Sequence, residues 1–392
     1  MKKLLTFSIL TYLLFTINSS AVIQNSNEDI TENENILKIG VLLPLSGKFK
    51  DTGQSFLKAI QLALTDIGNN SIKIYPKDSK ANALDSYQSA KGFEELGIKV
   101  VIGPIFHESL EKLNEINTIT FISLTNKTER IPKNAITFGI NIDSQLDSLK
   151  RYFDEKNISK TILLSPKSEF IYQSESVVKK DVLKFYRTYS YDINPKKITG
   201  EIEKITNYRE RKKDLERRIK ILEKSDLHKD KEELKKLELK HTLGEVNFDS
   251  VFVVDFGERL KSVLTSFMFS DISNKRINFF TLNQWFDETL FDESALQNLH
   301  FPAIDLDNLR KFQKSYFNAY NEKPNEVSIL AYDALGLIYY CWANNNAEFK
   351  SSQLYNKNGF MGLHGEFIIK ENTSKQKLRI YKISEKKFLK VH

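Results

Sequence analysis

The sequence predicts an α/β protein made of two consecutive doubly wound lobes, each with a parallel sheet. Three observations carry this. Short apolar runs alternate with segments of helical period, the pattern of βαβ units. The alternation closes near residue 125 and opens again near 135, giving two sets. The chain is 392 residues with a single cysteine, so it has the length for two domains and must be stabilised by core burial rather than disulfides.

In the first set, residues 36–43 form an apolar run that stops at Pro44 and reads as a buried parallel strand. Phe56, Ile60, Leu62, Ala63 and Ile67 then recur at helical spacing. Ile72–Tyr75 is a second strand. Ala83–Leu96 is a second helix, closed by Gly97 in the C′ position. Ile98–Gly103 is a third strand, a helix is expected from Glu108, and Ile119–Ser123 is a fourth strand.

The second set opens with a strand at Ala135–Ile140 and a helix over Gln145–Phe153. Strands follow at Lys160–Leu164, Ser250–Val254 and Ile277–Leu282, with helices at Ser174–Phe185 and Leu260–Phe269. Residues 201–243 interrupt this set. They are charged and helix-favouring, with Gly and Pro absent from 205–241. Leu215, Ile219 and Leu222 share one face, as do Leu234 and Leu237, with a break at Ser225-Asp226-Leu227 and Asp226 or Asp230 as cap. The expectation is a helical hairpin. It is either a solvated elaboration or an arm that docks a helix or an anionic surface.

The first residues are expected to leave the mature chain. Lys2 and Lys3 precede an apolar run from Leu4 to Ile17, and Ser19-Ser20-Ala21 suits cleavage after Ala21. The run is shorter than the ~20 residues of a membrane span, and no cysteine near position 22 would carry a lipid. Residues 22–35 read as a flexible lead-in. The mature chain is thus expected outside the cytoplasm, which the resemblance described below narrows to the periplasm, with no transmembrane segment and no lipid. Removing Lys2 and Lys3 from the formal charge of +7 leaves +5, of which residues 207–241 contribute +4, with 13 Lys/Arg against 9 Asp/Glu. That distribution argues against nucleic acid as a partner. A lone Cys341 and six histidines without HExxH spacing argue against a metal site, and no other cofactor is expected. The motifs GxSxG, GxGxxG after the first strand and the P-loop are absent, so no catalytic residues are assigned and an enzyme is not expected.

Several motifs resemble one family. ILKIGVLLPLSGKFKDTG is similar to the opening of type I periplasmic binding proteins, which include the leucine-binding proteins. VVIGPIFHESL resembles their third strand and its turn, and the helix around Tyr332-Asp333-Ala334 resembles their YDA helix. The segment with Gly359, Phe360, Gly362, Gly365 and Phe367 resembles the terminal motif of one branch, the LppC-type penicillin-binding protein activators. ISLTN, DFGERLKSVL and FFTLNQWFD fit that branch too, and the resemblance covers residues 36–383. It implies two Rossmann-like lobes around a cleft, lobe 1 from 36–142 and 284–345 and lobe 2 from 143–283 and 346–392. It also implies a non-enzymatic regulator of peptidoglycan synthesis whose partner is a synthase. The chain departs from the branch in lacking a lipobox cysteine and an N-terminal helical-repeat domain.

The same resemblance nominates cleft residues. Ser46 and Gly47 follow the first strand, and Ser123, Thr125 and Asn126 follow the fourth. Each is a ligand contact or a cap or turn residue. Phe106 and His107 stand where amino-acid binders keep small hydroxyl residues, which would fill a carboxylate pocket. Tyr172 lines the pocket or packs beneath it. Asp255 either meets a ligand ammonium or caps the next helix. Trp285 floors the cleft or belongs to the core. Asp333 is expected to hold structure together, and Cys341 to be an inert buried thiol. Two functions remain open: a regulator of peptidoglycan synthesis acting on a penicillin-binding protein, or the solute receptor of an ABC permease for an amino acid or similar small molecule.

Overall fold

The computed structural model describes residues 36–167, 177–178 and 181–392. The expected signal peptide, the lead-in and Tyr172 lie outside these residues. Two mixed sheets organise the rest. The first contains β1 (Leu37–Leu43), β2 (Ile72–Asp78), β3 (Val100–Ile102), β4 (Thr120–Ser123), β5 (Ala135–Thr137), β11 (Phe360–Gly362), β12 (Gly365–Lys370) and β13 (Thr373–Gln376), in the order β11-β12-β13-β5-β4-β3-β1-β2. The second contains β6 (Thr161–Pro166), β7 (Arg187–Tyr191), β8 (Ser250–Val253), β9 (Asn278–Thr281), β10 (Leu299–Ala303), β14 (Arg379–Ser384) and β15 (Lys387–Lys390), in the order β15-β14-β10-β9-β8-β6-β7. Within β1–β5 and β6–β10 every pairing is parallel. Helices cover both faces, which is why β1 is buried at every position but Lys38.

The helices are α1 (Lys50–Ile67), α2 (Ala83–Glu94), α3 (Ile142–Lys156), α4 (Pro195–Ile205), α5 (Tyr208–Leu222), α6 (His228–Leu237), α7 (Gly257–Phe269), α8 (Leu306–Tyr320) and α9 (Ile329–Ala343). Local chemistry explains their ends. Asn82, Asn141 and Asp305 accept hydrogen bonds from first-turn N–H groups of α2, α3 and α8. Gly68, Asn157 and Asn321 end α1, α3 and α8 in the left-handed conformation.

The α-helix expected from Glu108 is instead two 3-10 turns, His107–Leu110 and Leu113–Glu115. Leu110, Leu113, Ile116 and Ile119 are all buried, and their spacing of three matches the 3-10 period rather than the α period. Residues 181–186 are irregular, so the helix expected to reach Phe185 does not; residues 174–176 and 179–180 of its range lie outside the described residues.

The lobes divide differently from the expectation. β10 pairs with β9 and β14, so residues 284–303 belong to the second lobe. β13 pairs with β5 through Thr373 and Thr137, so residues 360–376 belong to the first. α8 packs on the first lobe, where Tyr320 donates to the Lys58 carbonyl at 2.9 Å. The chain therefore crosses between lobes three times: after β5, after β10 and after β13. The first and third crossings are tied by a buried network. Gln376 Nε2 donates to the carbonyls of Phe138 and Gly139, both at 3.2 Å, and Gln376 Oε1 accepts from Ser144 at 2.8 Å. The β11–β12 turn is held by Asp333 on α9, whose carboxylate accepts from the N–H groups of Leu363 at 2.8 Å and His364 at 2.7 Å and from the His364 ring. A Cβ at Gly362 would lie 2.7 Å from that carboxylate, so only glycine fits there.

The inserted hairpin is α5 and α6. Leu215, Leu222 and Leu237 bury their side chains against Ile219, Leu234 and Leu243, so the two apolar stripes cover each other. Residues 201–205, expected to open this insertion, instead end α4, which packs on α7 through Thr199 and Ser266, 3.1 Å apart. Neither Asp226 nor Asp230 caps α6; its N-cap is Leu227, and Asp230 instead accepts from Ser225.

Candidate functional site

A cleft of about 920 Å³ lies between the lobes at the C-terminal ends of the parallel strands. The first lobe contributes Phe106, His107, Glu108, Leu124, Thr125, Asn126 and Glu326, and the second contributes Phe256, Leu282, Asn283, Trp285 and Asp287. Strand ends are where an open α/β sheet exposes backbone N–H groups and loop side chains to a ligand.

Four sequence-nominated residues line this cleft: His107, Thr125, Asn126 and Trp285. His107 Nδ1 is buried without a hydrogen-bond partner, and burial together with Lys127 pushes the imidazole pKa down. Thr125 is 5% exposed, and its hydroxyl accepts from the Lys127 N–H at 3.3 Å. Asn126 is exposed on the rim. Trp285 is half-buried, packs on the core and also lines the cleft. Its backbone sits at φ +49° and donates to Asn283 Oδ1 at 2.7 Å.

The other described candidates fall elsewhere. Ser46 and Gly47 are exposed and outside the cleft lining. Burial pushes the Asp78 carboxyl up, but hydrogen bonds from Ser46 and from the N–H groups of Lys80 and Leu45 outweigh it and hold the pKa below the usual range. The Ser46 hydroxyl is thereby committed to Asp78. Ser123 is fully buried and donates to the Pro104 carbonyl at 2.9 Å. Asp255 is 1% exposed and already satisfied: its Oδ1 accepts from Phe256 N–H and from Arg259, at 2.8 and 2.9 Å, and Tyr191 donates to its Oδ2. It neither faces the cleft nor caps a helix by itself, since the N-cap of α7 is Phe256. The reason is β7, an element without a clear apolar alternation, which delivers Tyr191 beside it.

Asn283, Asp287 and Glu326 line the cleft and were not nominated. Asn283 carried a signal, standing at the end of a strand two residues before Trp285. Glu326 carried none, because only the crossing after β10 brings the start of α9 to the mouth of the cleft. Among the described residues, no group of three or more His, Cys, Asp or Glu could hold a metal, and no helix is long and apolar enough to cross a membrane.

No family model and no curated protein sequence matches the chain. Solved structures do. The C-domain of LpoA from Haemophilus influenzae, a regulator of PBP1A, superposes with a TM-score of 0.59 at 14% identity, covering 91% of this chain and 100% of that one. LivJ from Streptococcus pneumoniae, a branched-chain amino acid substrate-binding protein in complex with isoleucine, gives 0.54 at 15% identity, covering 91% and 99%. A protein from Rhodospirillum rubrum assigned to branched-chain amino acid ABC transport gives 0.69 at 13% identity, covering 91% and 100%. The chain has the type I periplasmic binding-protein fold. That fold accounts for the two doubly wound lobes, the three crossings and the position of the cleft. The neighbours that share it bear the names of binding and regulatory proteins.

Proposed function

We propose that this chain is a non-enzymatic, periplasmic binding module that regulates peptidoglycan synthesis by docking onto a penicillin-binding protein. One observation carries the reading: the hydroxyl grip for an amino-acid carboxylate is not assembled. Ser46 turns to Asp78, and Phe106 packs on Phe49 with ring centroids 4.5 Å apart, where a small hydroxyl residue would be needed. The likeness to the LpoA C-domain over nearly the whole described chain supports the same reading.

The test is a lipid II polymerisation and crosslinking assay with a purified bifunctional synthase from the same organism. Addition of the chain is expected to raise the rate several-fold. No change at saturating concentration, with no complex by analytical ultracentrifugation, would end the proposal.

A second reading, the solute receptor of an ABC permease, is favoured by the roomy cleft and its unpartnered polar atoms. Free isoleucine or leucine binding with micromolar affinity would put that reading first.

A further inference from the structure

Among the described residues, the cleft holds two kinds of polar group that the chain pairs incompletely. Four charged side chains line it, and two of them, Lys127 and Glu108, bond each other at 3.1 Å. The other two are carboxylates from opposite lobes, Asp287 from the second and Glu326 from the first, near enough that the Asp287 charge acts on Glu326. Among the described residues, Asp287 accepts only the N–H of Thr289, at 3.0 Å, and the Lys261 ammonium that feels its charge is bonded to Glu258 at 2.9 Å. Glu326 has no ion-pair partner among the described residues. Its side chain is solvent-exposed, yet the cleft walls and then Asp287 raise its carboxyl above the usual range.

The second group is Asn283. It is 5% exposed, its Oδ1 is used by Trp285 N–H, and its Nδ2 is buried without an acceptor. A buried amide donor left unpaired is costly, so it marks a place where a bound molecule completes the structure.

We infer that the cleft takes a ligand with a primary ammonium and a nearby neutral carbonyl or hydroxyl, but no free carboxylate. The ammonium sits between Asp287 and Glu326, relieving their mutual repulsion across the lobes, and the neutral acceptor meets Asn283 Nδ2. Trp285 lines the same wall, and its indole face attracts an ammonium as well. Leu124, Ile140, Leu282 and Leu330 leave an apolar berth for the remainder of the ligand. A carboxylate would enter a field of two uncompensated negative charges with the one lining cation already engaged. This selectivity reverses what a grip for an α-carboxylate would give. It also makes ligand entry a closing force, because the two carboxylates stand on different lobes.

Isothermal titration of the purified chain at pH 7 with leucinamide, leucine and N-acetylleucinamide separates the terms. Leucinamide keeps the ammonium and a neutral acceptor, leucine adds the carboxylate, and N-acetylleucinamide loses the ammonium. Leucinamide is expected to bind at least tenfold more tightly than either of the others. Glu326→Gln, at an exposed position, is expected to weaken leucinamide at least tenfold. Asn283→Ala should weaken it too, with thermal melts confirming that both variants fold. Leucine binding as tightly as leucinamide, an unchanged Glu326→Gln affinity, or no binding of leucinamide at all would each overturn the inference. The synthase assay reads the regulatory function separately, so either can fail alone.

Discussion

At the scale of single residues, burial decides chemistry more than residue type does. His300 on β10 is 5% exposed, and its ring packs 5.0 Å from Phe280 and 5.7 Å from Tyr152. Burial lowers its pKa from 6.5 to about 4, against the opposing hydrogen bond to the Phe279 carbonyl at 3.2 Å. The folded protein thus refuses a proton that the unfolded chain accepts. Its contribution is complete above pH 6.5, falls as the pH drops through the interval, and is gone below about 4. The shift corresponds to about 3 kcal/mol. Urea unfolding of the wild type between pH 7 and 4 should show this loss, and His300→Gln should remove that share of the slope. Parallel pH profiles for the two proteins would contradict it. The same lesson applies to Cys341, whose thiol burial pushes up to about 11 and so keeps unreactive, and to Asp255, which answers Arg259 rather than a ligand.

At the scale of elements, the hairpin shows an apolar stripe whose first partner is the chain itself. The leucines foreseen on α5 and α6 pack against each other, and the exterior carries many charges with Ile221, Leu227 and Leu239 exposed among them. The hairpin is anchored to the second lobe by Arg211, whose guanidinium donates to Thr242 Oγ1 at 2.6 Å, the Ser270 carbonyl at 3.2 Å and the Gly244 carbonyl at 3.4 Å. Truncation by Arg211→Ala leaves those buried acceptors unpaired, at a cost of about 2–4 kcal/mol. Hydrogen exchange is expected to speed up across α5 and α6 and stay unchanged in β1–β6. Retained protection in the hairpin would show that the leucine contacts alone hold it. The 3-10 turns after β3 teach the complementary point. Their spacing of three was present in the sequence, but a short apolar repeat does not announce its own helix type.

At the scale of the whole molecule, the joint between the lobes depends on a few buried polar groups. Gln376 spans from the third crossing to the carbonyls of the first and to Ser144 on α3, and Asn141 on the first crossing donates to the Ser374 carbonyl beside it. Gln376→Leu is expected to lower stability by about 3 kcal/mol, since the Phe138 and Gly139 carbonyls lose their donor while Ser144 keeps Asn141. Small-angle scattering should also show a broader distribution of lobe separations. An unaltered unfolding midpoint would mean that water replaces the side chain there.

The sequence by itself determined the α/β class, the two successive βαβ sets, the hairpin and most strands of the parallel sheets. Those features are local: apolar runs, helical periods and caps are written within a few residues of one another. It also placed His107, Thr125, Asn126 and Trp285 near strand ends, and all four are among the residues that line the cleft. The tertiary structure alone decided which sheet received β10 and β11–β13, because strand pairing is made between residues far apart in the chain. It alone withdrew Ser46, Ser123 and Asp255 from the cleft, each by a partner distant in sequence: Asp78, Pro104, and Tyr191 with the nearer Arg259. And it alone brought Glu326 and Asp287 to one cleft, since two carboxylates with no local pattern between them share a site only when the chain crosses between the lobes.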